Sequence, residues 1–186
     1  MIIPEEKEYI GLWNNIIEIH KCTKELYLLS EEYSENLKMF IQPIKEMRDA
    51  LEHIIRAYDK LLSNESLDEK DNDEYIKINL DKALGHEYRA FFDTVDFLSV
   101  TFRYKISEVL KDYSYNEIIS VYPDYEEWAV RLTEIPEEIA DLRKRKDIGN
   151  TEDITSIIDK YKKIVIDELL YFYKTIYREI LPLLNL

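Results

Sequence analysis

Glycine is scarce in this 186-residue chain, at 3 residues, and proline supplies only 5. So little punctuation allows few turns, and the elements between them must be long. The three glycines are also scattered, which excludes a glycine-rich phosphate loop. Cys22 is the only cysteine, so neither a disulfide within the chain nor a thiolate metal cluster is possible. Histidine is almost as rare, with 3 residues, none at ligand spacing, and no Glu-x-x-His pair occurs. No metal and no cofactor are therefore expected, and nothing resembles a nucleophile elbow.

Long apolar runs are missing as well. The most hydrophobic stretches are interrupted by Asp93 and Asp96, or by Asp167 and Glu168, so no membrane span is expected. The opening Met-Ile-Ile-Pro-Glu-Glu-Lys has no basic segment followed by an apolar one, which points to a soluble cytoplasmic protein. In that compartment the Asn64-Glu65-Ser66 pattern carries no glycan. Positive charge is short too: 25 Lys and Arg face 39 Asp and Glu, for a net charge of −14. Generic nucleic-acid binding needs clustered cations, and no DNA partner is predicted. The one compact basic run, Arg143-Lys144-Arg145-Lys146, precedes Ile148-Gly149-Asn150 and reads as the favourable charge at a helix C-terminus.

What the chain does contain is 46% hydrophobic and 34% charged residues, the balance of a folded globule, with 15 tyrosines to supply amphipathic bulk. The length suits a single domain over 1–186. Helical periodicity predicts an all-α, up-and-down bundle of about five long helices. The first covers about 4–37, with Pro4 in its first turn and Ile10, Trp13, Ile17 and Leu28 among its apolar positions. The second covers about 43–62, with Met47, Leu51, Ile54 and Tyr58 forming the stripe expected to face the core. A polar loop is expected over 63–73. The third helix spans about 74–111, with Leu80, Leu84, Phe91, Val95, Leu98 and Phe102 as its main stripe. The region 114–146 is expected to be broken by Pro123 and Pro136, and the last helix runs from about 151 to Pro182.

One constellation carries chemistry. In Arg48-Asp49-Ala50-Leu51-Glu52-His53, the residues Asp49 and His53 are four apart and share a helix face away from the Met47–Leu51–Ile54–Tyr58 stripe. Arg56 lies beside them, and Arg48 flanks the stripe. The third helix carries a polar seam of His86, Arg89, Asp93 and Asp96, spaced three, four and three apart. Buried charge must be paired, and Asp93 or Asp96 is the expected complement of Arg89.

Arg48-Asp49-x-x-x-His53 on a helix of an acidic all-α chain resembles the Arg-(polar)-x-x-x-His signature of the HEPN superfamily. These are small helical bundles found in toxin–antitoxin, CRISPR and other defence systems. The resemblance implies metal-independent cleavage of RNA by a homodimer, with the motifs of two protomers meeting at one cleft. It assigns His53 as the acid/base on the ribose 2′-OH or leaving oxygen, Arg48 as the stabiliser of phosphorane charge, and Asp49 as the group that orients the histidine. Arg56, His86 and Arg89 are the candidate binding residues around them. The alternative is a non-catalytic helical interaction or regulatory protein whose acidic surface engages a basic protein partner.

Overall fold

The computed structural model describes residues 9–34, 40–62, 69–146 and 154–185. All of these lie in helices and short connections, and no strand occurs among the described residues. The expected beginnings of the first and last helices, near Pro4 and Thr151, lie outside the described residues, as does 63–68 of the expected loop. No helix among the described residues is long and apolar enough to cross a membrane.

The chain divides into two compact units, Met1–Asp96 and Phe97–Leu186. The first contains α1 (Ile10–Tyr33), α2 (Ile41–Leu62) and most of α3 (Glu69–Leu110). Helix α3 starts before the predicted Glu74, so residues 69–73 are helical rather than loop. The core of this unit joins Tyr9, Trp13 and Ile16 to Ala50 and Ala57 of α2 and to Ile76, Leu80, Ala83 and Leu84 of α3.

The orientation of α2 corrects the sequence reading. The expected core stripe is only partly inward: Ile54 packs against the core, but Leu51 is 53% exposed. The buried residues of α2 are Pro43 at its start and two small ones within it, Ala50 and Ala57, both completely buried. They sit seven residues apart, hence two turns, so they share one line along the helix. Large side chains on that line would hold the neighbouring helices away, since axial separation follows the side chains at the contact. Helix α3 behaves as predicted, with Leu80, Leu84, Phe91, Val95, Leu98 and Phe102 all buried.

The second unit holds the end of α3, α4 (Tyr115–Val121), α5 (Tyr125–Lys146) and α6 (Ile154–Lys162). Ser114 opens α4 with a reciprocal capping box, accepting from the Glu117 N–H while its own N–H donates to the Glu117 carboxylate. Pro123 sits in the turn before α5, as expected. Pro136, however, lies inside α5 instead of ending it. An interior proline removes one helical hydrogen bond and costs about 3 kcal/mol in an isolated helix. Ile135 and Ile139 on either side are buried, and their packing offsets that cost.

Helix α6 continues through two π-helical stretches, Lys163–Leu170 and Ile176–Ile180, to a last turn at Leu181–Leu184. Val165, Leu170, Thr175 and Ile180 are all buried at five-residue intervals, a spacing that widened turns keep on one side. Phe172 stacks on Trp128 with ring centres 4.4 Å apart. Arg131 of α5 clamps this run by donating to Glu168 and to Glu138, both at 2.7 Å.

The Arg131 clamp has a testable cost, because Glu168 is largely buried. Arg131→Met should destabilise the fold by about 2 kcal/mol, lowering Tm by roughly 5 °C. Adding Glu168→Gln should recover part of that loss, since the orphaned buried charge is then gone. Thermal unfolding of the three variants checks both statements.

Candidate functional site

The polar faces of α2 and α3 meet inside the first unit. His53 is half-buried, and its ring stacks on that of His86, with centres 5.5 Å apart and planes 21° from parallel. Thus the two histidines belong to one site. A groove of about 460 Å³ runs beside them, lined by His53, Asp81, Lys82, Gly85, His86 and Arg89.

Each ring is held by its Nδ1. The Asn79 Nδ2 donates to the Tyr75 carbonyl at 2.9 Å, which turns the Asn79 Oδ1 toward His53 at 3.0 Å. That oxygen only accepts, so the His53 Nδ1 carries the proton and donates. The His86 Nδ1 lies 2.8 Å from Glu46 Oε2 and 2.7 Å from Arg89 Nη2. One nitrogen cannot donate to the carboxylate and accept from the guanidinium at once. The carboxylate takes precedence: Nδ1 donates to Glu46, and the Arg89 Nε donates to the same oxygen at 2.8 Å. In both rings Nε2 is then the basic nitrogen, and neither makes a hydrogen bond to a described residue.

Glu46 is the organising anion. Burial alone would raise its carboxyl, but hydrogen bonds from Arg89 and His86 outweigh that effect and hold it below its ordinary value. Glu87, one residue beyond His86, shows the opposite balance. Its side chain is 2% exposed, Oε1 meets His20 Nδ1 at 3.0 Å, and Oε2 has no hydrogen-bond partner among the described residues. Burial dominates there and pushes the carboxyl up, against the His20 contact.

The other predicted site residues are placed differently. Five residues along a helix is roughly 140° of rotation, so Arg48 springs from a different side of α2 than His53. Its guanidinium is exposed and bonds Asp49 at 2.7 Å. The hydrogen bond from Arg48 holds the Asp49 carboxyl low, and both histidines add to that electrostatically. Neither Arg48 nor Asp49 lines the groove. Arg56 pairs with Glu52 and borders a separate hollow with Asp59, Lys60, Asp71, Asn72 and Tyr75. Arg89 turns to Glu46 of α2, not to the expected Asp93 or Asp96 of its own helix.

Sequence reasoning missed Glu46 and Asn79. Glu46 lies seven residues before His53, two turns along the same face, and Asn79 lies seven before His86. Extending both polar seams by two turns finds them. Gly85 sits on the groove floor, where a Cβ would meet nothing nearer than Arg89 Nη1 at 3.7 Å. Packing does not require glycine there, and its absent side chain leaves the floor open. Among the described residues no three His, Cys, Asp or Glu side chains are grouped to hold a metal ion.

The two glutamates should respond to pH with opposite signs. Glu46 is depressed, so its contribution is present above its unfolded value and lost as pH falls through the folded one. Glu46→Gln should cost about 1–2 kcal/mol at pH 7, and the difference should begin to shrink as pH falls below roughly 4 and vanish only below the lowered folded value. Glu87 is raised, so the wild type loses stability as pH rises through its folded value. Glu87→Gln should therefore stabilise the protein by about 1 kcal/mol at pH 8 and have little effect in acid. Thermal melts from pH 3 to pH 8 read both effects.

The groove thus combines two imidazoles anchored at Nδ1 with Asp81, Lys82, Gly85 and Arg89. No protein-family model, no curated protein and no solved structure matches the chain.

Proposed function

We propose that this chain is a HEPN-like, metal-independent endoribonuclease of a defence or toxin–antitoxin type system, with His53 and His86 as its acid/base pair. The observation that carries the reading is the stacked pair itself, with both Nδ1 atoms tied down and neither Nε2 hydrogen-bonded to a described residue. A general base or acid needs to come within about 3 Å of its oxygen, so rings 5.5 Å apart can serve one phosphodiester.

The chemistry is transesterification. One neutral Nε2 takes the proton of the ribose 2′-OH as that oxygen attacks phosphorus. The other ring, protonated, gives its proton to the departing 5′-oxygen. A 2′,3′-cyclic phosphate and a free 5′-hydroxyl result, and the two rings exchange protonation states over the step. Lys82 and Arg89 border the groove with positive charge for the non-bridging oxygens. Glu46 and Asn79 are positioning residues, since they fix the tautomers that leave Nε2 as the basic nitrogen of each ring. Imidazole suits both roles because its proton exchanges near neutral pH.

In this reading one chain supplies both histidines, and Arg48 has the smaller effect. A single-stranded RNA incubated with the protein in EDTA should be cut to 2′,3′-cyclic ends, and a 2′-deoxy substitution at the cut site should block it. His53→Ala and His86→Ala should each slow cleavage by about 10²–10⁴-fold, whereas Arg48→Ala, outside the groove, should change it by less than about threefold. The rate should follow a bell-shaped pH profile, because one ring acts neutral and the other charged. RNA left intact by the wild-type protein would remove the enzyme reading. A helical interaction protein would then be the better description, a reading favoured by the exposed apolar side chains of α2.

A further inference from the structure

The last turns of α3 and the first half of α5 line a cavity of about 480 Å³ within the second unit. That volume falls in the range of small-molecule sites, about 300–1,000 Å³. On α3, Arg103, Ser107 and Lys111 follow one another at four-residue intervals and form a polar row along one wall. Ile106 and Leu110, both buried, run beside that row as an apolar floor. On α5, Tyr125, Ala129, Leu132 and Pro136 are spaced four, three and four apart and form a second wall. Ala129 ends at a methyl in the middle of that wall, which leaves the space open.

The charge of this cavity is opposite to that of the chain. Arg103 and Lys111 line it and none of the described carboxylates does, on a protein of net charge −14. The Arg103 Nε donates to the Ser99 carbonyl one turn back at 3.3 Å, which steadies the guanidinium on its wall. Lys111 donates to Glu108 at 3.0 Å, but both side chains are exposed, and surface pairs of this kind are worth little. A ligand carboxylate can take the place of Glu108 at that ammonium. Burial pushes the Tyr125 hydroxyl up, so the ring adds no negative charge. Phe172 backs the same ring, with centres 6.2 Å apart and planes 22° from parallel, and holds it as a flat aromatic surface.

Pro136 adds an oriented acceptor. Proline has no N–H, so the Leu132 carbonyl four residues earlier lacks the helical donor it would otherwise have. Both residues line the cavity, which places that carbonyl on its wall. A backbone carbonyl deprived of its helical donor is an acceptor for a ligand N–H.

We propose that this cavity binds a small aromatic carboxylate carrying an N–H donor. The ring lies against Tyr125 over Ile106 and Leu110, the carboxylate is held on the Arg103–Lys111 wall, and the N–H donates to the Leu132 carbonyl. The cavity belongs to the second unit, and the proposal is independent of the catalytic reading.

Titration of the ¹⁵N-labelled chain with indole-3-acetate, followed by NMR, tests it. This probe has a flat ring, a carboxylate and an N–H. Saturable shifts should appear at residues 103–111 and 125–136, with a Kd of about 0.1–1 mM for a ligand of that size. Indole-3-ethanol, which lacks the carboxylate, should bind at least about tenfold more weakly. Lys111→Met should weaken indole-3-acetate about fivefold and leave indole-3-ethanol unchanged. Benzofuran-3-acetate has oxygen in place of the N–H and should bind several-fold more weakly than indole-3-acetate. Pro136→Ala returns a backbone N–H to the Leu132 carbonyl and should erase that preference. Ala129→Phe should fill the cavity and abolish binding while keeping the wild-type circular dichroism. No saturable shift up to about 10 mM indole-3-acetate overturns the proposal, as do shifts confined to other residues, the histidine groove included. Equal binding of the acid and the alcohol overturns the anionic specificity. A preference for indole that survives Pro136→Ala overturns the role of the carbonyl.

Discussion

Ala50 and Ala57 place methyl groups where α2 meets the core of the first unit, and both are completely buried. Helix axes approach more closely over small side chains than over leucines. That approach lets polar groups on the adjoining strip of α2 reach α3 directly. Glu46 takes hydrogen bonds from two α3 side chains, and His53 meets both Asn79 and the ring of His86. The same packing has a second consequence. With the alanines inward, Leu51 and Ile55 are rotated out of the core, and an apolar ridge is left facing outward. The histidine groove and the ridge are thus two results of one choice of buried face.

Charge is distributed around this contact according to how well each group is compensated. Glu46 is largely buried but has two donors on one oxygen, and it holds its charge. Glu87 is more deeply buried with one histidine contact and an unsatisfied oxygen, and burial prevails. The two carboxyls differ less in chemistry than in the number of donors that reach them. A stability maximum that depends on such groups lies where the compensated carboxylate is charged and the uncompensated one is not yet a large penalty.

The second unit solves a different problem. Its helices contain features that ordinarily disrupt helices, namely Pro136 and two π-helical stretches, and hydrophobic packing overrides each of them. Buried side chains at five-residue intervals and the stacked Trp128 and Phe172 account for the widened turns. Arg131 then ties α5 to the final helical run through Glu168. Local propensity set where helices were possible there, and packing set where they continued.

Much of this was legible in the residues alone. The scarcity of glycine and proline, with 3.6-residue periodicity, required long helices. The α3 stripe from Leu80 to Phe102 identified its buried face, since a helix rich in large apolar residues on one side has a single good way to pack. His53 was separable from the α2 stripe, and His86 from that of α3, by counting turns. Counting turns could not decide which half of the broad apolar face of α2 would turn inward. Both halves are hydrophobic, and only the neighbouring helices distinguish a strip of small residues from a strip of large ones. Nor could it show that Arg89 would reach Glu46, forty-three positions away, instead of the aspartates one and two turns along its own helix. Periodicity is a property of one helix. The partner of a side chain depends on how two helices approach, and that distance was set by alanines whose small size carries no signal until they are seen in contact.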